Sequence, residues 1–124
     1  FRQGQQLGFH IVAPLYRRHE KMGVLVGEVF YTQKMVEEYA ALSQTEINLF
    51  SGQFLSVGTF PKQPRIHFDA GQSVSCQAMA ENQIPVEVAT VTLDWQSYYQ
   101  GTCTFTSVDG LVGAISVNLS KQTA

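Results

Sequence analysis

The chain has 124 residues, of which 44% are hydrophobic and 15% charged, and a formal net charge of −2. That length suits one domain with a real core, and the apolar share excludes a disordered chain. The near-neutral balance excludes the basic field that nucleic acid or an anionic membrane surface would require.

In chain order, residues 1–8 are polar and Gln-rich and read as a frayed lead-in. An extended run follows at His10-Ile11-Val12-Ala13 and Leu15-Tyr16, with Pro14 inside it arguing for an edge or a bulge, since proline cannot donate to a ladder. Arg17-Arg18-His19-Glu20-Lys21 reads as a solvated hairpin tip, and Gly23 to Tyr31 as the returning strand, with Glu28 facing water. Thr32 is placed to cap a helix by accepting from a first-turn N–H. Met35, Tyr39 and Leu42, spaced i, i+4, i+7, with Val36 and Ala40 beside them, predict the stripe by which that helix covers a sheet. Ile47-Asn48-Leu49-Phe50, the turn Ser51-Gly52-Gln53 and Phe54 to Phe60 form a second hairpin, the glycine being free to take positive φ.

Pro61 and Pro64 open a long irregular connection that reaches about Ser97. Loops of that length are uncommon in compact domains and often serve as lids or binding loops. Within it, Val86 to Leu93 reads as either a strand or a short helix. Tyr98 to Ser107, the turn Val108-Asp109-Gly110 and Leu111 to Leu119 close the chain as a third hairpin, Asp-Gly between apolar runs being a strong hairpin signal. This last hairpin repeats the phrasing of the first: an extended segment, a polar turn and a Gly-punctuated apolar strand. The sum is roughly six strands and one clear helix.

The order of these phrases resembles the extracytoplasmic, PAS-like sensor domains called Cache domains, found in bacterial chemoreceptors, sensor histidine kinases and diguanylate cyclases. The resemblance is carried by Ala13-Pro14-Leu15-Tyr16 with Gly23-Val24-Leu25-Val26-Gly27, and by the helix from Thr32 to Leu42. Glu46 to Phe50 with Ser51-Gly52, and Tyr99 with Asp109 to Val117, complete it. It implies an α+β, PAS-like fold with an antiparallel sheet of five or six strands, helices packed on one face, and a small-molecule pocket on a sheet face under a covering loop. It implies a homodimer in the periplasmic or extracellular part of an inner-membrane receptor, signalling through adjoining transmembrane and cytoplasmic domains. Such sensors begin with a long helix along the dimer axis, and nothing before His10 can form one. Residues 1–124 are therefore expected to be a single sensor domain excised from a larger protein, either truncated or a variant in which a partner chain replaces the missing helix.

Chemistry-bearing patterns are sparse. His10, His19 and His67 share no ligand spacing, and Cys76 and Cys103 form no Cys-x-x-Cys motif, so neither a metal nor another cofactor is expected. The two cysteines are read as separate thiols rather than a bridge. Asn118-Leu119-Ser120 satisfies the glycosylation sequon, a pattern common by chance. No nucleophile motif is present and no carboxylate pair sits in an apolar setting, so catalysis is not expected. A pocket is: Arg65 or His67 gripping an anionic head group, with Trp95, Tyr99 and Phe50 walling the apolar remainder and Thr104 on the sheet face. The expected function is noncatalytic sensing of a small molecule such as a carboxylate or amino acid. The alternatives are a protein-interaction or dimerisation module of the same fold, and a small enzyme using Asp69 and His67.

Overall fold

The computed structural model describes residues 2–3, 6–67, 74–85, 88–107 and 110–122. Three strands come first: the two-residue β1 (Arg2–Gln3) and the long β2 (Gln6–Arg17) and β3 (Glu20–Phe30). Helix α1 (Gln33–Ser43) leads into β4 (Glu46–Ser51) and β5 (Phe54–Gly58). Helix α2 (Cys76–Asn82) precedes β6 (Val88–Leu93), β7 (Gln96–Ser107) and β8 (Gly110–Ser120). The strands make two antiparallel sheets, one of order β1-β2-β3 and one of order β5-β4-β8-β7-β6.

The larger sheet is the body of the molecule, and its centre is the β4–β8 pair. Leu49 lies opposite Ile115 and Ile47 opposite Val117, which puts these four on one face. There they meet Val36 and Ala40 of α1 and Leu7 at the foot of β2. Cys103, opposite Ile115, shares that face and is bridged to Cys76 at the start of α2. Both helices thus dock on the same side. The other face carries Asn48, Phe50, Ala114, Ser116 and Asn118, and the connection that follows β5 folds across it, with Ile66 packed on Phe50 and Ala114.

Helix α1 forms where expected but presents a different stripe. Thr32 Oγ1 accepts from Met35 N at 3.2 Å, and Gln44 closes the helix in the left-handed region at φ 56°. Val36 and Ala40 are buried, whereas Tyr39 is 53% and Leu42 84% exposed. Gln33 sets the rotation: its Nε2 donates to Gly58 O at 2.7 Å and its Oε1 accepts from Gly58 N at 2.9 Å, so one amide side chain pairs with the free edge of β5. Val36 and Ala40 lie three and seven residues on from Gln33, on the same helix face, and the small Ala40 lets the helix lie close to the sheet.

Other sequence expectations are corrected as well. The polar lead-in is partly ordered, since β1 pairs with β2 and Leu7 is buried in the core. The long connection contains α2, capped by Ser75 Oγ accepting from Ala78 N at 3.0 Å, and the ambiguous segment before Trp95 is strand β6 from Val88. The cysteines are not separate thiols but a disulfide across 27 positions. Asp69 and the turn residues Val108 and Asp109 lie outside the described residues. Both edges of the larger sheet receive cover beyond the named strands. Leu55 N donates to Pro64 O and Ile66 N to Gln53 O, each at 2.9 Å, while Thr104 N donates to Val74 O at 3.0 Å where β6 no longer reaches β7.

Two substitutions follow from this packing. A Cβ on Gly113 would run into the carbonyl oxygen of Phe50 and crowd the methyls of Leu7, and a strand backbone in mid-sheet cannot give way cheaply. Gly113→Ala should cost roughly 1–3 kcal/mol in urea unfolding. Reducing the Cys76–Cys103 bridge removes a closure of 27 positions, which loop entropy values at about 3–4 kcal/mol. Urea titration with and without reductant should show a loss of that order.

Candidate functional site

The connection after β5 is held to the sheet by buried amides. Asn48, fully buried in β4, donates from Nδ2 to Phe60 O at 2.7 Å and to Gln63 O at 3.1 Å, and its Oδ1 accepts from Phe60 N at 3.0 Å. Beside it four side chains close a hydrogen-bonded ring. Gln100 Nε2 donates to Asn118 Oδ1 at 2.7 Å and to Gln63 Oε1 at 3.0 Å. Ser116 Oγ donates to Gln63 Oε1 at 3.3 Å, and Asn118 Nδ2 to Ser116 Oγ at 3.4 Å. Ser116 and Asn118 are wholly buried. Among the described residues no buried side-chain nitrogen or oxygen lacks a partner. Such a network fixes a single arrangement when complete and becomes costly when one member is lost.

The ring borders a cleft of about 840 Å³ at the end of the sheet, between the second half of α1 and the connection. Its floor is Asn118, Tyr98 and Phe60, and its rim carries Glu37, Glu46, Lys62 and Gln96. Phe60 and Tyr98 meet edge to face with centroids 4.9 Å apart. The Tyr98 hydroxyl donates to Gln96 Oε1 at 2.7 Å, and Lys62 Nζ donates to the same oxygen at 3.3 Å. The cleft therefore offers one ammonium, two carboxylates, several neutral hydrogen-bonding groups and one aromatic wall. Its size falls within the range of small-molecule sites.

Two smaller concavities lie on the helix-bearing face. One, of about 180 Å³, sits where the foot of the β2–β3 ribbon meets α2 and β7, lined by Phe9, Tyr31 and Phe105 among others. Tyr31 stacks on Phe105 at 6.2 Å and tilts against Phe9 at 5.3 Å. Burial, and then the neighbouring Tyr39 phenol, raise the Tyr31 pKa above its ordinary value. The other is an apolar groove of about 360 Å³ over Val88, Tyr99, Ile115, Val117 and Leu119.

The six residues expected to form a pocket are dispersed. Arg65 is exposed at the β5 edge with its guanidinium 5.0 Å from the Phe54 ring centroid, and His67 is exposed two residues on. Trp95 is fully exposed in the β6–β7 turn, at φ 67°. Tyr99 borders the apolar groove with Lys121 Nζ 5.0 Å from its ring centroid. Phe50 is wholly buried in the core, and Thr104 is buried where residues 74–75 join β7. None of the six lines the 840 Å³ cleft. Asn118, the acceptor of the sequon, is 0% exposed and bonded on both sides of its amide, so the folded chain does not present it to a glycosyltransferase.

The buried polar residues beside the cleft sit in ordinary strand patterns. Asn48 stands between Ile47 and Leu49, and Ser116 and Asn118 alternate with Ile115, Val117 and Leu119. That pattern reads as a strand with one wet face, and only the returning connection makes the face dry. Among the described residues no three His, Cys, Asp or Glu side chains are grouped to hold a metal ion. No family model, curated protein or solved structure matches the chain.

Removing the Asn48 amide tests the site's construction. Asn48→Ala takes the partner from the buried Phe60 N–H and from the Gln63 carbonyl and leaves the Phe60 carbonyl with the Gln63 N–H alone, so unfolding free energy should fall by about 1–3 kcal/mol. Amide exchange at Phe60 should quicken by more than that at Ile47 or Leu49.

Proposed function

We propose that the chain is a noncatalytic, ligand-sensing domain of the PAS-like Cache type, from the extracytoplasmic part of a bacterial membrane receptor, and that its ligand is a small zwitterion such as an amino acid. The observation that carries this reading is the cleft beside the buried amide ring. A site with one cation and two carboxylates on its rim suits a ligand bearing both charges: Lys62 faces the carboxylate as a point charge, and Glu46 or Glu37 the ammonium. The neutral amides behind them supply fixed hydrogen bonds rather than a proton-transfer couple.

Three further features support the reading. An antiparallel sheet of five strands with both helices on one face is the coarse architecture that the sequence resemblance implies. A disulfide persists in oxidising surroundings such as the periplasm. The connection carrying Lys62 is hydrogen-bonded to β4, β7 and β8 at once, so a ligand that pulls on it acts on the centre of the sheet. A ligand changes the population of two states only by the difference in its affinity for them. The connection, held between Phe60 and Gln63 by side-chain amides that can trade one hydrogen-bond partner for another, is the element that can exchange partners. Signalling would then pass to adjoining transmembrane and cytoplasmic domains in a homodimeric receptor.

A thermal-shift titration tests this reading. Amino acids should raise the melting temperature along the logarithm of free ligand over Kd, whereas the matching amines and carboxylic acids alone should not. Lys62→Ala should weaken binding by about tenfold or more, the worth of one charge-assisted hydrogen bond. A flat response to all three compound classes, or equal affinity in the variant, would remove the cleft as the ligand site.

A further inference from the structure

The three strands that precede α1 repeat the last three strands of the chain, residue for residue in their pairing. In β1–β2, Gln3 lies opposite Gln6 and Arg2 opposite Leu7, and in β6–β7, 90 positions on, Leu93 lies opposite Gln96 and Thr92 opposite Ser97. In β2–β3, Gly8 lies opposite Phe30, Ala13 opposite Leu25 and Arg17 opposite Glu20. With the same 90-position offset, β7–β8 pairs Tyr98 with Ser120, Cys103 with Ile115 and Ser107 with Gly110. Even the irregularity recurs, between Leu15 and Tyr16 in one and between Phe105 and Thr106 in the other. The first sheet is therefore built as the β6-β7-β8 portion of the second.

The two copies differ in what covers them. The outer edge of β8 takes β4, with Phe50 opposite Ala114 and Ser51 opposite Gly113, whereas among the described residues β3 pairs with β2 alone. Val12, Tyr16, Met22, Val24, Leu25 and Val26 are each between 47% and 63% exposed. A two-stranded ribbon apolar on both faces is not a stable solvent-facing object.

Gly23 shows what belongs there. Its counterpart is Gly113, where the Phe50 carbonyl of β4 leaves no room for a Cβ; at Gly23 a Cβ would meet nothing within 4 Å. The glycine required by a crossing strand is thus present in the copy where that strand is absent. Gly27 is equally free of neighbours within 4 Å, but its counterpart is Val117, so it is under no such demand.

We propose that the β1–β3 sheet is the closing part of a second module of this same build, and that the edge of β3 over Gly23–Glu28 accepts that module's β4-like strand, antiparallel and in the register β4 has on β8. By the 90-position offset, the incoming strand places a residue in the position of Phe50 opposite Val24 and one in the position of Leu49 opposite Leu25. Val24 and Val26 stand where β8 has Ala114 and Ser116, so the incoming face is apolar where β4 carries Asn48. Glu28 falls opposite the position of Glu46 and calls for a residue without negative charge.

The test uses the intact chain and a fluorescent synthetic peptide of its residues 33–58 carrying Glu46→Lys and Asn48→Val, with fluorescence anisotropy and hydrogen exchange as readouts. The peptide should bind the wild-type chain and the Gly27→Ala variant alike and slow exchange across Gly23–Glu28. Gly23→Ala should fold with unchanged stability, there being open space for its Cβ, yet bind at least tenfold more weakly. Any of three results would overturn the proposal: no binding, protection confined to β8, or equal effects of the two glycine substitutions. A fourth would do so too, namely protection of β3 that rises with chain concentration without peptide, since ribbons would then be pairing with each other.

Discussion

One carboxamide decides the shape of this molecule's polar half. Asn48 uses both its donor and its acceptor to hold the backbone of Phe60 and Gln63 against the central strand. Without it the connection would lose its anchor on β4 at Phe60 and Gln63 and be left with Ile66 on Phe50 and Ala114 and the backbone bonds at the β5 edge, so the ring of Gln63, Gln100, Ser116 and Asn118 and the Phe60 side of the cleft floor would loosen. A Cβ on Gly58 would collide with the same carboxamide, so the bend at the end of β5 is tied to it too. Burying so many amides costs desolvation that apolar residues would not incur. What they provide is a unique arrangement with little apolar filling, one that a polar ligand can address.

The opposite face is organised by ordinary burial. Leu7, Val36, Ala40, Ile47 and Leu49 form a compact apolar cluster, and the disulfide fastens α2 to β7 beyond it. The two faces therefore divide the work: one holds the sheet together, and the other positions hydrogen-bonding groups. The ribbon of β2 and β3 stands apart from both, joined to the body chiefly through Leu7 and Tyr31, whose N–H donates to the Leu7 carbonyl at 2.9 Å.

Hairpins were legible in the sequence because their signals are local. The Ser51-Gly52 turn, with Gly52 at φ 61°, and the Thr32 cap depend on residues within a few positions of one another. What was not legible depends on distant partners. The rotation of α1 follows from Gln33 meeting Gly58, not from the Met35–Tyr39–Leu42 spacing. The disulfide follows from α2 being carried over β7, and α2 itself is a short helix with no buried residue to give it periodicity. The residues expected to form a pocket lie apart for a related reason. Arg65, His67 and Trp95 stood out by chemical type, but residue type alone does not say which sheet face or edge a loop side chain reaches. The plain amides that do converge were hidden in strand alternation.

The measurement that bears most directly on the central claim is a two-dimensional NMR titration of the 15N-labelled chain with a zwitterionic ligand, following side-chain amide signals. The NH2 resonances of Asn48, Gln63, Gln100 and Asn118 should shift together with the Lys62 and Phe60 backbone signals. Shifts confined to the apolar groove around Tyr99 and Val117, or to the β2–β3 ribbon, with the four amides unmoved, would contradict it.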